Sequence, residues 1–139
     1  EQALFTPPVV SPTGDEFGGA VSLHGDTVAV GAIGYDYPVS SAGAVFVYSK
    51  GQSSWGLQQQ LAAPPNGTFP SFGFALHLVG EVIYVGAPTN ALPVSSAGCV
   101  YRFDRVGTSW NQTAKFFGSN PFGSAWFGNA IARDGDLLA

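Results

Sequence analysis

Short apolar stretches, each closed off by Gly, Pro, Ser or Asn, follow one another along the chain, and none has the 3.6-residue spacing of an amphipathic helix. The pattern predicts strands. In Ala44-Val45-Phe46-Val47-Tyr48 both alternating sets are apolar, which predicts a strand covered on both faces. Strands are expected at Gly18–Leu23, at Thr27–Gly31, at Gly43–Tyr48, and from Trp55 through Leu61. Between the first two, His24-Gly25-Asp26 places Gly in a tight hairpin turn, where a positive φ costs Gly little.

The pattern then repeats. A shift of 55 residues brings Phe17-Gly18 onto Phe72-Gly73 and Phe127-Gly128, and Gly25 onto Gly80 and Gly135. The same shift superposes Val30-Gly31-Ala32 on Val85-Gly86-Ala87, Trp55 on Trp110, and the whole of Pro38–Gly43 on Pro93–Gly98. A repeat of this length built from four short strands is the mark of propeller blades, whereas a helical solenoid needs long 3.6-period segments. The expected fold is therefore all-β, with blades of four antiparallel strands. The period divides the chain into an outer strand of a preceding blade (1–16), blades at 17–71 and 72–126, and the start of a further blade (127–139). Propellers close with about 4 to 8 blades, so a larger, seven-bladed propeller is expected, of which these residues supply about two and a half blades.

Composition narrows the partners. Charged residues make up 10% of the 139 positions, against about 25% in an average soluble domain. Net charge is −4, with no cluster of Lys or Arg, so the basic footprint that nucleic acid requires is missing. No apolar run approaches the roughly 20 residues of a membrane-spanning helix. A single Cys, Cys99, excludes an internal disulfide. Asn66-Gly67-Thr68 and Asn111-Gln112-Thr113 are acceptor triplets for N-glycosylation and point to a secreted or cell-surface protein.

Phe17-Gly18 followed by Gly31-Ala32-Ile33, and Phe72-Gly73 followed by Gly86-Ala87-Pro88, resemble the FG-GAP repeat of integrin α-subunit β-propellers and their relatives. The resemblance implies that Phe-Gly lies on the innermost strand and that Gly-Ala-Pro ends the second. It also implies that ligands meet the face built from the second-to-third and fourth-to-first loops, here 32–42, 87–97, 62–71 and 117–126. Many members carry a calcium loop, D-x-D-x-D-G-x-x-D, between the first two strands. Here that position holds His24-Gly25-Asp26, Val79-Gly80-Glu81 or Asp134-Gly135-Asp136, with too few carboxylates to surround calcium. No metal and no cofactor are expected.

A search for catalytic chemistry finds no nucleophile with a base, no paired carboxylates and no phosphate-binding glycine loop. Asp15 and Glu16 are neighbours and point to opposite faces of an extended strand. His24 and His77 fall at different repeat positions, and Cys99 replaces Ala44 at the start of a buried strand, where it packs as a small apolar residue. The chain is not expected to be an enzyme. Binding residues are sought where loops break the repeat, at Tyr35, Asp36 and Tyr37 and at Asn90: the three stand where the second repeat has Asn90, Ala91 and Leu92. An aromatic pair flanking an acid makes contact surface, although the tyrosines can equally pack on their own loop. Phe69, Phe122 and Trp126, in the fourth-to-first loops, either seal the seam between blades or meet a ligand. Trp55 and Trp110 recur and therefore read as structure.

The leading functional expectation is a non-enzymatic extracellular propeller module for protein–protein interaction, adhesion or surface assembly, with a protein partner or self-association. Carbohydrate binding by the aromatic loops, and service as an accessory propeller of a secreted hydrolase, are the alternatives. Since the outermost repeats are incomplete, the sequence is expected to be a piece of a longer chain or to be completed by other copies.

Overall fold

In the computed structural model, residues 3–8, 14–36, 40–64, 71–91, 95–119, 122–135 and 137–138 are described. Two four-stranded antiparallel sheets follow one another in the chain, each with its strands in sequential order. The first comprises β1 (Phe17–His24), β2 (Thr27–Ala32), β3 (Ala44–Lys50) and β4 (Trp55–Ala62). The second comprises β5 (Leu76–Val79), β6 (Val82–Ala87), β7 (Cys99–Val106) and β8 (Ser109–Phe116). A hairpin of β9 (Arg133–Asp134) and β10 (Leu137–Leu138) begins the next repeat. No helix occurs among the described residues. The fold is all-β, and each sheet is a blade.

Local chemistry sets each turn. Gly25, Gly80 and Gly135 all take φ +56° at the first position of the hairpin that joins the two inner strands, the conformation a two-residue turn of the II′ kind requires there. The third strand runs further than its apolar pattern suggests, to Lys50 and Val106. Lys50 N–H donates to Asp26 O at 2.9 Å, and Arg105 N–H to Glu81 O at 2.9 Å, so the hairpin turn itself holds the extension. Residues 3–8 form no strand; they lie against the first blade through Phe5, whose ring meets Tyr48 and Trp55 at 4.9 and 5.4 Å.

The two-sided apolar pattern of the third strand is resolved as two interfaces. Val45 and Val47 join Ala29 and Leu61 in a core shared with Ile83, Val85, Tyr101 and Phe103 of the second blade. Ala44, Phe46 and Tyr48 line the opposite face with Val28 and Val30, where Phe5, Phe17, Tyr35 and Trp55 cover them. The blades therefore stack face to face, with β1 beside β5 and β4 beside β8.

The seam explains why Phe-Gly and Gly-Ala recur. Phe72 N–H donates to Ala42 O of the preceding blade at 3.2 Å, and its buried ring meets Tyr101 and Phe103 edge-on at 5.4 and 6.0 Å. Gly73, at φ +96°, brings its carbonyl so close to Gly31 that a Cβ added at Gly31 would lie 2.2 Å from that oxygen. The next seam repeats this arrangement: Phe127 N–H donates to Ala97 O at 2.9 Å, and a Cβ at Gly86 would lie 2.0 Å from Gly128 O. One backbone thus rests directly on another, which only glycine permits.

Candidate functional site

The second-to-third loops share one frame. Tyr35 N–H donates to Ala32 O and Asn90 N–H to Ala87 O, while Tyr35 O and Asn90 O accept from Gly43 N–H and Gly98 N–H, all at 3.1–3.2 Å. Within that frame the side chains differ. Tyr35 is half-buried, its ring edge-on to Phe46 at 5.2 Å, so it packs on its own blade. Asn90 is fully enclosed. Its Nδ2 donates to Tyr101 Oη at 3.2 Å, and Lys115 Nζ reaches its Oδ1 at 3.4 Å. The amide singled out in the sequence as contact surface therefore serves the loop's interior. Asp36 is exposed, and its Oδ1 accepts from Ser41 N–H at 2.7 Å and Ser40 Oγ at 3.1 Å, which ties the two ends of its loop together. Tyr37, Asn66 and Phe69 lie outside the described residues.

Exposed aromatic surface comes instead from the loop after β8. Phe122 is 63% and Trp126 54% exposed. Trp126 N–H donates to Ser96 O at 3.3 Å and Ser124 N–H to Ser95 O at 3.2 Å, so this loop is zipped to the second-to-third loop of the same blade. Trp126 holds φ +55°, with Glu16 at +51° and Ser71 at +48° in the matching positions before Phe-Gly, a conformation that non-glycine residues rarely take. Beside this loop Lys115 Nζ lies over the rings of Tyr101 and Phe117 at 4.8 and 5.1 Å.

The remaining candidates are placed in the scaffold. Cys99 is fully buried, and burial pushes its thiol up to about 11, with Lys115 and hydrogen bonds from Tyr101 and Lys115 pulling the other way. Its packing place matches the sequence reading. His24 ends β1 on the surface, and His77 lies 6.5 Å from the Tyr84 ring. Asp15 and Glu16 precede β1, and Asp15 O accepts from Gly34 N–H at 3.2 Å. Asn111 is exposed on β8.

Two side-chain groups were not anticipated. Trp110 is buried at the seam, where its N–H donates to Gln59 Oε1 at 2.7 Å, its carbonyl accepts from Gln59 Nε2 at 2.9 Å, and its indole Nε1–H donates to Gln58 Oε1 at 2.8 Å. On the far face of the second blade Arg102 Nη2 donates to Asp104 Oδ1 at 2.7 Å, and Thr113 Oγ1 donates to Asp104 Oδ2. The one available signal was a break in the repeat: Gln59 stands where the other copies have Leu4 and Ala114, and Arg102 stands where the first has Val47.

The first of these stacked four-stranded sheets falls largely within a segment that matches a known repeat. Residues 1–48 match the FG-GAP repeat. That match spans about a third of the chain and ends within β3. No curated protein matches the chain. Beyond the matched segment, the second sheet repeats the strand pairing of the first: β5 pairs with β6, β6 with β7 and β7 with β8, as β1 to β4 do. An FG-GAP repeat suggests a propeller-type module for protein interaction. No helix among the described residues is long and apolar enough to cross a membrane.

Proposed function

We propose that this chain is a non-enzymatic, extracellular β-propeller module that binds another protein through the face carrying its second-to-third and fourth-to-first loops, in adhesion or surface assembly. The observation that carries the reading is the contrast between a strictly repeated scaffold and the unrepeated, exposed Phe122 and Trp126 on one loop of that face. Large aromatic side chains at a protein surface are favoured contact residues. The FG-GAP match supports a binding role. The exposed Asn111 triplet supports passage through the secretory route.

A direct test immobilises the protein and measures binding to a panel of secreted proteins and receptor ectodomains. The Phe122→Ser/Trp126→Ser double variant is expected to lose at least about tenfold in affinity for any ligand of this face, as loss of a contact centre does. The same exposed rings favour a second reading, carbohydrate binding by stacking. Retention on a glycan panel, abolished by the same double variant, decides for sugar; binding unaltered by the variant removes this face from both readings.

A further inference from the structure

The strands β4 and β8 are the outermost of their sheets, so each turns one row of peptide groups away from its own neighbour. On β8 this edge is occupied. Arg105 directs its N–H to Glu81 O on the other side, so the Arg105–Trp110 pair is of the non-hydrogen-bonded kind and the Trp110 N–H and C=O point outward. The Gln59 carboxamide meets both, donor to acceptor, as the peptide group of an added strand would. The next residue along β8 is the exposed Asn111, an acceptor position for a glycan.

On β4 no side chain among the described residues meets the same edge. Lys50 directs its N–H to Asp26 O, so Trp55, its partner in the register, likewise points its N–H and C=O outward. The residue one repeat before Gln59 is Leu4, which has no amide and is 90% exposed. The residue one repeat before Asn111 is Gly56, around which an added Cβ would meet nothing within 4 Å. Leu57, opposite Tyr48 in the register, is 44% exposed on the face where Phe5 lies.

We propose that the outer edge of β4, from Trp55 to Leu57, docks an extended segment of another polypeptide, which joins the first blade as a fifth strand. The clamp on Trp110 shows which chemistry satisfies this backbone position: a donor and an acceptor side by side on one amide. Leu4 and Leu57 call for apolar side chains beside those amides. An extended peptide supplies both, with amides facing the edge at every second residue and side chains alternating between them. A helix keeps its peptide groups to itself, and a sugar has no amides at strand spacing to meet this edge. The proposal rests on the reading of the chain as a protein-binding module but names a different surface from the loop face, so the two stand or fall separately.

Hydrogen exchange by NMR on the intact protein is the first test. The Trp55 amide is expected to exchange at least about tenfold faster than that of Trp110, because an unoccupied edge is unprotected; equal protection overturns the proposal. A fluorescein-labelled peptide of residues Trp55–Ala63, itself an edge strand of this fold, is then titrated and followed by anisotropy. Leu57→Pro removes an outward N–H and is expected to weaken binding about tenfold, the value of one lost hydrogen bond. Leu4→Gln, which offers Trp55 the clamp that Trp110 already has, is expected to slow Trp55 exchange and compete with the peptide while leaving the fold intact. No binding, or binding indifferent to both substitutions, overturns the proposal. Binding lost only in Phe122→Ser/Trp126→Ser moves recognition to the loop face and overturns it as well.

Discussion

Glycine identity is most consequential where backbone meets backbone. At Gly31 a methyl group would sit 2.2 Å from the Gly73 carbonyl, and neither main chain can give without parting the blades. Gly31→Ala is therefore expected to cost about 3 kcal/mol or more, as severe overpacking does. Gly25→Ala meets no neighbour but must hold φ +56°, so a cost of about 1–2 kcal/mol is expected. Thermal melts of the two variants side by side check the order. Cys99, fully buried with its thiol raised to about 11, is expected to resist alkylation at pH 8 until the protein unfolds. Mass spectrometry after iodoacetamide treatment, with and without denaturant, reads this directly. The buried role of Cys99 was legible from its repeat position, whereas the burial of Asn90 was not, since an amide in a polar loop reads as surface until Tyr101 and Lys115 are seen around it.

Among the elements, the rim strands carry the polar determinants of the seam. Gln59→Ala removes two hydrogen bonds to the Trp110 backbone at a half-buried site, and a loss of about 1–2 kcal/mol is expected in denaturant unfolding. The strand β7 holds a different device. Hydrogen bonds from Arg102, aided by Thr113, hold the Asp104 carboxyl below its ordinary value, against a smaller opposing effect of burial. A lowered carboxyl pKa means that the stabilisation is fully present above the unfolded value of about 4 and is lost as pH falls through the folded value. The pair is partly exposed, so its contribution is about 1 kcal/mol or less. Comparing melts of the natural protein and Asp104→Asn at pH 7 and pH 3 is expected to show a difference at pH 7 that shrinks at pH 3. Strand existence was legible from apolar alternation, and the hairpins from glycine. The extension of the third strands into Ser49-Lys50 and Asp104-Arg105 was not, because it rests on hydrogen bonds from the preceding turn and not on burial.

For the whole molecule, the two faces of the first blade are unequal. Leu78 of β5 is buried against the first blade, with its N–H donating to Ser22 Oγ at 2.8 Å, yet its repeat counterpart Leu23 is 62% exposed and Val21 is 59% exposed. In the isolated 139-residue polypeptide such a stripe, paired across the strand with the buried Val30 and Val28, favours association. Val21→Ser/Leu23→Ser is expected to keep this polypeptide monomeric to higher concentration, measured by sedimentation velocity, with little change in melting temperature because neither side chain is buried.

The amino-acid sequence by itself determined the period, the four strands of each blade, the hairpin glycines and the two-sided burial of the third strand. These follow from local sterics and from alternation, both of which are properties of neighbouring residues. The tertiary structure alone decided which glycines bear on another backbone, that Asn90 faces inward while Phe122 and Trp126 face outward, and that Gln59 closes the edge at Trp110 while no described residue does the same at Trp55. Each of these depends on groups that meet across a seam from distant points in the chain, as Gln59 meets Trp110, and spacing along the sequence does not specify which way a side chain turns once two sheets pack.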